Sequence, residues 1–425
     1  VKVVIAGETY SENLGDGVIA TSLAYALRLA WAQRLGRAPS ELEVVHLDIS
    51  GRTVWQPVWQ PAGQARAEGI SPSARRAPVK LLVRVLAGLL SLALKRYLRW
   101  HLLGTREARR KYFEQQLAGV DLLLIGGGQL LMDNQLHFPL ALELLTECAQ
   151  QQKVPCHLVG CGMGRKWSAY ARRLLQRIVA RVSSISLRDQ QSAEHFAALC
   201  PQRSAKVVAD PALWAREAYA VAPRARRPLG CLGFGVIGVS ALKEHLPAEA
   251  ALLTEATLVT RWLEQLSALA AEYSAIEVFT NGDLEDYALA QQLVSAAREQ
   301  RGLPCALAPR PERPQELVEC IARYHSVAAH RLHACIIAAA LGVPVVGIEW
   351  DRKVRAFFRE IGCEPLCLGF SSATPEALVS ALVRASQDQD RSLLEKNKSE
   401  LLNALAGVLK HHGVGSSAGA LAVAV

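Results

Sequence analysis

The chain has 425 residues, 51% of them hydrophobic and 20% charged, a length that suits two domains and a composition that excludes a largely disordered protein. Its net charge of +9 looks like a nucleic-acid signal until it is localised: residues 75–111 hold eleven basic residues against the single acidic Glu107. One segment makes the protein basic, and without a recognised nucleic-acid module or regular aromatic interleaving around it, nucleic-acid binding is not expected.

The first ten residues, VKVVIAGETY, read as a strand and a turn. They lack the basic start, apolar core and small-residue cleavage site of a signal peptide, so the expected location is the cytoplasm. The next stretch, SENLGDGVIATSLAYAL (11–27), opens a helix running to Leu35. Asn13 and Asp16 can cap it, Gly15 and Gly17 allow tight backbone geometry, and its amino terminus can face a ligand.

A second strand is expected at EVVHLDI (43–49), followed by a basic helical insertion over about 52–117. Within it, VKLLVRVLAGLLSLALKRYLRWHLL (79–103) has leucines at helical spacing with basic and aromatic flanks. Only ten uncharged residues separate Arg84 from Lys95, well short of the roughly 20 that span a bilayer. Such a helix either rests on anionic lipid or packs as a core or oligomer helix with a solvated basic face, so peripheral membrane contact through 75–111 and a homo-oligomer are both open.

Further strands follow at VDLLLIGGG (120–128), PCHLVGCGMG (155–164), SSISLRD (183–189) and KVVADP (206–211), with helical stretches such as 140–151 between most of them. The alternation predicts an α/β fold with a parallel sheet covered on both faces. Gly126 to Gly128 stand at a strand end, where the backbone turns or a ligand approaches closely. Arg188 either pairs with Asp189 or meets a ligand, and Asp210 either accepts a sugar hydroxyl or caps a turn.

The proline-marked, basic stretch 218–230 reads as a linker, after which the pattern restarts with CLGFGVIGVS (231–240), a helix around 252–272, AIEVFTN (275–281) and a helix over 283–300. Short strands follow at LPCALAP, HSVAAH, PVVGIEW and PLCLGF. The prediction is two Rossmann-like domains facing across a cleft, at 1–217 and 231–400, with a C-terminal helix and tail at 401–425. Arg331 and His333 fall where a buried strand becomes a helix, and Lys353 follows the next strand. In an open α/β sheet that edge binds ligands, and three groups able to carry positive charge there point to an anion. The ten cysteines are scattered without a Cys-x-x-Cys pair, and Cys363 with Cys367 cannot complete a zinc site. Reduced core thiols and no metal site are expected.

In this order the motifs resemble the polysaccharide pyruvyl transferase family. The resemblance rests on Asn13-Leu14-Gly15-Asp16, Asp121 with Gly126 to Gly128, Gly160-Cys161-Gly162, Leu187-Arg188-Asp189 with Ser192, Asp210-Pro211, Asp286, Arg331-Leu332-His333-Ala334, and Asp351 with Lys353. It covers roughly residues 1–360. The middle position of Gly160-Cys161-Gly162 departs from the glutamine common in the family.

The resemblance implies a GT-B-like pair of domains and transfer of the pyruvyl group of phosphoenolpyruvate onto two hydroxyls of a sugar, forming a cyclic ketal. It implies Arg188, Arg331 and Lys353, with Gly127 and Gly128, on the donor. His333 would be the general acid, with Arg331 beside it in the catalytic group. Asn13, Asp16, Asp210 and His137, the last as a base, would face the acceptor, a sugar or lipid-linked oligosaccharide at the inner face of the membrane. The scheme needs no cofactor or metal beyond phosphoenolpyruvate as donor substrate. A GT-B glycosyltransferase using a nucleotide sugar is the alternative, because fold alone does not separate the two chemistries.

Overall fold

The computed structural model describes residues 1–55, 91–222, 230–246, 252–387 and 390–411. Residues 75–90 of the basic segment, most of the expected linker and the tail from 412 lie outside them.

Six strands form the first sheet: β1 (Lys2–Gly7), β2 (Glu43–Asp48), β3 (Leu122–Gly126), β4 (Cys156–Cys161), β5 (Ser184–Leu187) and β6 (Lys206–Val207). Their spatial order is β2-β1-β3-β4-β5-β6, and every pairing is parallel. Six more form the second: β7 (Cys231–Gly235), β8 (Ala275–Phe279), β9 (Cys305–Leu307), β10 (Ser326–Ala329), β11 (Val345–Glu349) and β12 (Cys367–Gly369). Their order is β12-β11-β10-β7-β8-β9, again all parallel. Helices cover both faces, which is why β3 and β10 are buried along their whole length. Each sheet reverses its strand order once, between β1 and β3 and between β7 and β10, and the crevices outside those carboxyl ends are where such folds bind ligands.

The element ends differ from the sequence expectation where side chains intervene. Strand β6 shrinks to two exposed residues, because Asp210 caps the turn Pro211–Trp214 by accepting from the Ala212 N–H at 2.9 Å. The first long helix begins at Gly15, tied to the second half of the chain by the Leu14 N–H donating to the Asn281 carbonyl at 2.9 Å. The last helix, Ser392–His411, returns to the first sheet: its Leu401, Leu402, Leu405 and Leu409 share a core with Leu23, Leu27, Trp31 and Leu124. Lys398 fixes it there, 2.9 Å from Glu217 and 4.2 Å from the Trp214 ring.

Candidate active site

The two switch points face each other across a cavity of about 340 Å³. From the first sheet its wall takes Gly7, Glu8, Asn13, Asp16, Gly127, Gln129 and Arg188; from the second, Asn281, Arg331, His333, Trp350 and Lys353. Two helices, Gly15–Leu35 and Leu332–Leu341, bring their first turns together here. They touch because residue 15 has no side chain: a β-carbon on Gly15 would lie 2.5 Å from His333 Cβ and Nδ1. Gly127 and Gly128 both adopt a φ of +73°, and a β-carbon on Gly127 would lie 2.0 Å from Ile19, so glycine lets the β3 end pass beneath the same helix.

Each cation is held by a carboxylate, and those on Arg331 and Arg188 are buried. Arg331 is bidentate on Asp286, Nε and Nη2 each 2.7 Å from a carboxylate oxygen. Asp286 also accepts the Gly238 N–H at 2.7 Å, which orients the guanidinium and leaves Nη1 for the cavity. Arg188 is 5% exposed and lies between Asp189 and Asp210 at longer distances, 3.5 and 3.4 Å. Asp189 caps the helix Gln190–Leu199 through Ser192 N–H at 2.6 Å. Gly162 makes room for the guanidinium, since a β-carbon there would lie 2.5 Å from Arg188 Nη2. Lys353 Nζ stands 3.2 Å from Asp351, 3.2 Å from Gln129 across the cleft, and 4.8 Å above the Trp350 ring. Asp351 in turn holds His245 at 3.1 Å.

His333 is surrounded by these charges. Burial, reinforced by Arg188, Lys353 and Arg331, holds its imidazole well below the usual histidine range. Its Nε2, 4.0 Å from Asp210, has no hydrogen-bond partner among the described residues, and neither have Asn13 Oδ1 and Asn281 Nδ2, whose residues also line the cavity. Three unanswered polar atoms around one cavity are what a polar ligand would satisfy.

The opposite wall carries two carboxylates in contrasting states. Burial and the charge of Glu8 push Asp16 up to about 7. Glu8, although raised by burial, is held below its ordinary value by His137, Arg52 and Ser50, with Arg52 at 2.9 Å and the Ser50 hydroxyl at 2.5 Å. Neighbouring carboxylates driven apart in this way are suited to different roles.

Of the residues expected at the site, Asn13, Asp16, Gly127, Arg188, Arg331, His333 and Lys353 line the cavity. Asp210 lies behind it, 3% exposed, capping its turn and pairing Arg188. Gly128, between the lining residues Gly127 and Gln129, is close to Asp16, where a β-carbon would lie 3.3 Å from Oδ1. His137 sits beyond Glu8, 2.9 Å from Ser50 Oγ. Cys161 is fully buried, its thiol against the Ile125 carbonyl at 3.4 Å, so the middle residue of that motif faces the core. Asp121 lies at the amino end of β3 and accepts the Lys2 N–H at 2.8 Å, at the sheet edge opposite the cavity. His330 is buried and pushed down to about 4 by burial, a neutral core residue bonded to the Gly235 carbonyl at 2.7 Å.

Glu8, Gln129, Asn281 and Trp350 were missed. Their shared signal is position, each standing at or just past the carboxyl end of a predicted strand. Among the described residues no three His, Cys, Asp or Glu side chains group as metal ligands.

A family model described as polysaccharide pyruvyl transferase matches residues 13–352. No curated protein matches the chain. Among solved structures, the UDP-GlcNAc 2-epimerase of Methanocaldococcus jannaschii is similar with a TM-score of 0.54 at 9% identity, over 96% of this chain and 99% of that one. The UDP-GlcNAc 2-epimerase of Neisseria meningitidis bound to UDP-GlcNAc gives 0.51 at 10% identity, over 97% and 100%. At such identities the likeness concerns the fold, which is GT-B.

Proposed function

The chain belongs to the polysaccharide pyruvyl transferase family, and we propose that it moves the pyruvyl group of phosphoenolpyruvate onto two hydroxyls of a saccharide to form a cyclic ketal. The observation that carries this reading is the convergence of Arg188, from the first sheet, with Arg331 and Lys353, from the second, around His333 in one cavity. Phosphoenolpyruvate brings a phosphate and a carboxylate in one small molecule, and it answers three clustered cations that would otherwise repel one another.

Donor binding also prepares the acid. The free imidazole of His333 is held neutral by burial and by the three cations around it; a donor anion among them offsets their field and favours the imidazolium. His333 then protonates the methylene carbon, which becomes the methyl group, while positive charge develops at the adjacent carbon. A saccharide hydroxyl adds there and its proton passes to Asp16, the carboxylate on the facing wall whose value near 7 suits a base at neutral pH. The carbon–oxygen bond to phosphate breaks, the second hydroxyl closes the ring, and phosphate leaves. Of the two hydroxyl protons, one balances that gained by the methyl group and the other departs as hydrogen phosphate.

The test is phosphate release from phosphoenolpyruvate with a panel of saccharide acceptors, with the product read by the ketal methyl resonance. Acceptor-dependent release with a new methyl signal supports the reading. Release of a nucleoside diphosphate from a nucleotide sugar instead would replace it with the glycosyltransferase alternative.

A further inference from the structure

The helix Leu92–Leu102 is built the wrong way round for an ordinary surface helix. It buries only Trp100, while Leu92, Leu94, Tyr97 and Leu102, with Leu103 just beyond, are exposed by 36–64%. Its inward face is Ala93, packed on the first core, and Arg96, whose Nη1 donates to the carbonyls of Asn134 at 2.5 Å and Gln135 at 3.3 Å. Lys95 and Arg99 stand among the outward leucines.

A second basic helix continues this face. Tyr97 and Tyr170 meet edge to face at 5.4 Å, and His101 reaches the Tyr170 hydroxyl at 3.3 Å. Tyr170, Arg173 and Arg177 lie three and seven residues apart on the helix Ala169–Arg181 and therefore share one side of it. Arg99, Arg172 and Arg173 are exposed and have no acidic partner among the described residues. The result is leucines and tyrosines interleaved with unneutralised cations across two helices.

We propose that this face docks on an anionic lipid surface. Leucines with basic neighbours match the interfacial zone of a bilayer, where apolar side chains enter the acyl boundary and cations meet anionic headgroups. No helix among the described residues is long and apolar enough to cross a membrane.

The placement gives the contact a purpose. The loop that holds both helices is also the cavity rim: Asp133 accepts the Ser168 N–H that begins the second helix at 2.9 Å, Asn134 accepts from Arg96, and Asn134 lines the cavity. A saccharide carried on a lipid would thus arrive beside the cleft. That consequence rests on the transferase reading, whereas docking itself does not and is measured without donor or acceptor.

The experiment is flotation of the full chain with vesicles of phosphatidylcholine alone or mixed with phosphatidylglycerol. Wild type is expected to float only with the anionic vesicles and to be released by salt. Arg99→Gln with Arg173→Gln should weaken binding roughly thirtyfold, at about 1 kcal/mol per basic residue near the surface. Leu94→Gln with Leu102→Gln should weaken it too, with the melting temperature unchanged in both variants. Failure of the wild type to bind anionic vesicles, binding indifferent to both variants, or capture by single-stranded RNA in place of vesicles would overturn the proposal. So would a fall of several degrees in the melting temperature of the leucine variant, which would mean that those side chains pack within the molecule.

Discussion

Gly15 and His333, one from each half of the chain, approach so closely that a β-carbon on Gly15 would lie 2.5 Å from His333 Cβ. The obstacle is the stem of a buried side chain rather than a flexible tip. Gly15→Ala must therefore displace the imidazole or part the two helix ends. A misplacement of about 1 Å at a reacting group costs on the order of 10²-fold in rate, so kcat is expected to fall by about that factor. Steady-state kinetics beside circular dichroism would separate this outcome from unfolding.

Removal of the acid itself should leave the donor site standing. His333→Gln is expected to lower kcat by about 10²- to 10⁴-fold while phosphoenolpyruvate still raises the melting temperature. Because the free imidazole is held neutral and a donor anion raises its proton affinity, donor binding near neutral pH should take up protons. Calorimetry in buffers of different ionisation enthalpy would measure this. The variant should take up fewer protons than wild type, and equal uptake would remove His333 from the acid role.

Asp16, pushed up to about 7, predicts an acid limb in the rate profile. The rate with acceptor should rise with pH through about 7 as the carboxylate ionises. Asp16→Asn should abolish that limb and lower kcat while sparing the donor-induced thermal shift. A pH profile of the variant that keeps the limb would assign the base elsewhere.

Glu360, beside Asp189 and Asp210, is pushed up to about 8 by burial and by those two carboxylates. Unfolded, it ionises near its ordinary value of 4.5, so between those values the native state holds the extra proton. Its contribution to stability is therefore lost as pH rises towards 8. Glu360→Gln should gain stability relative to wild type between pH 5 and pH 8, read as the difference in urea midpoint. A constant difference across that range would contradict the shift.

The restart of the strand pattern at residue 231 marked the second sheet because both sheets are buried on both faces, so their strands read as apolar runs. Arg188, Arg331, His333 and Lys353 were legible for a related reason: a charged residue directly after such a run must stand at the sheet's carboxyl edge. What pairs with them was harder to read. Asp286 and Arg331 are 45 residues apart, and only the fold brings them together. Asn281 and Gln129 are neutral and follow strands without any pattern that separates a cavity residue from a turn. The return of helix Ser392–His411 to the first sheet was also hidden, since its leucine stripe would fit either core.

Donor choice is read directly by a thermal-shift titration with phosphoenolpyruvate and, separately, with UDP, on wild type and on Arg331→Ala. A ligand that binds only the native state raises stability with its concentration. A pyruvyl transferase should be stabilised by phosphoenolpyruvate and not by UDP, and the stabilisation should be lost in the variant. Stabilisation by UDP with none by phosphoenolpyruvate would contradict that reading and leave the cation cluster as the phosphate clamp of a nucleotide-sugar enzyme.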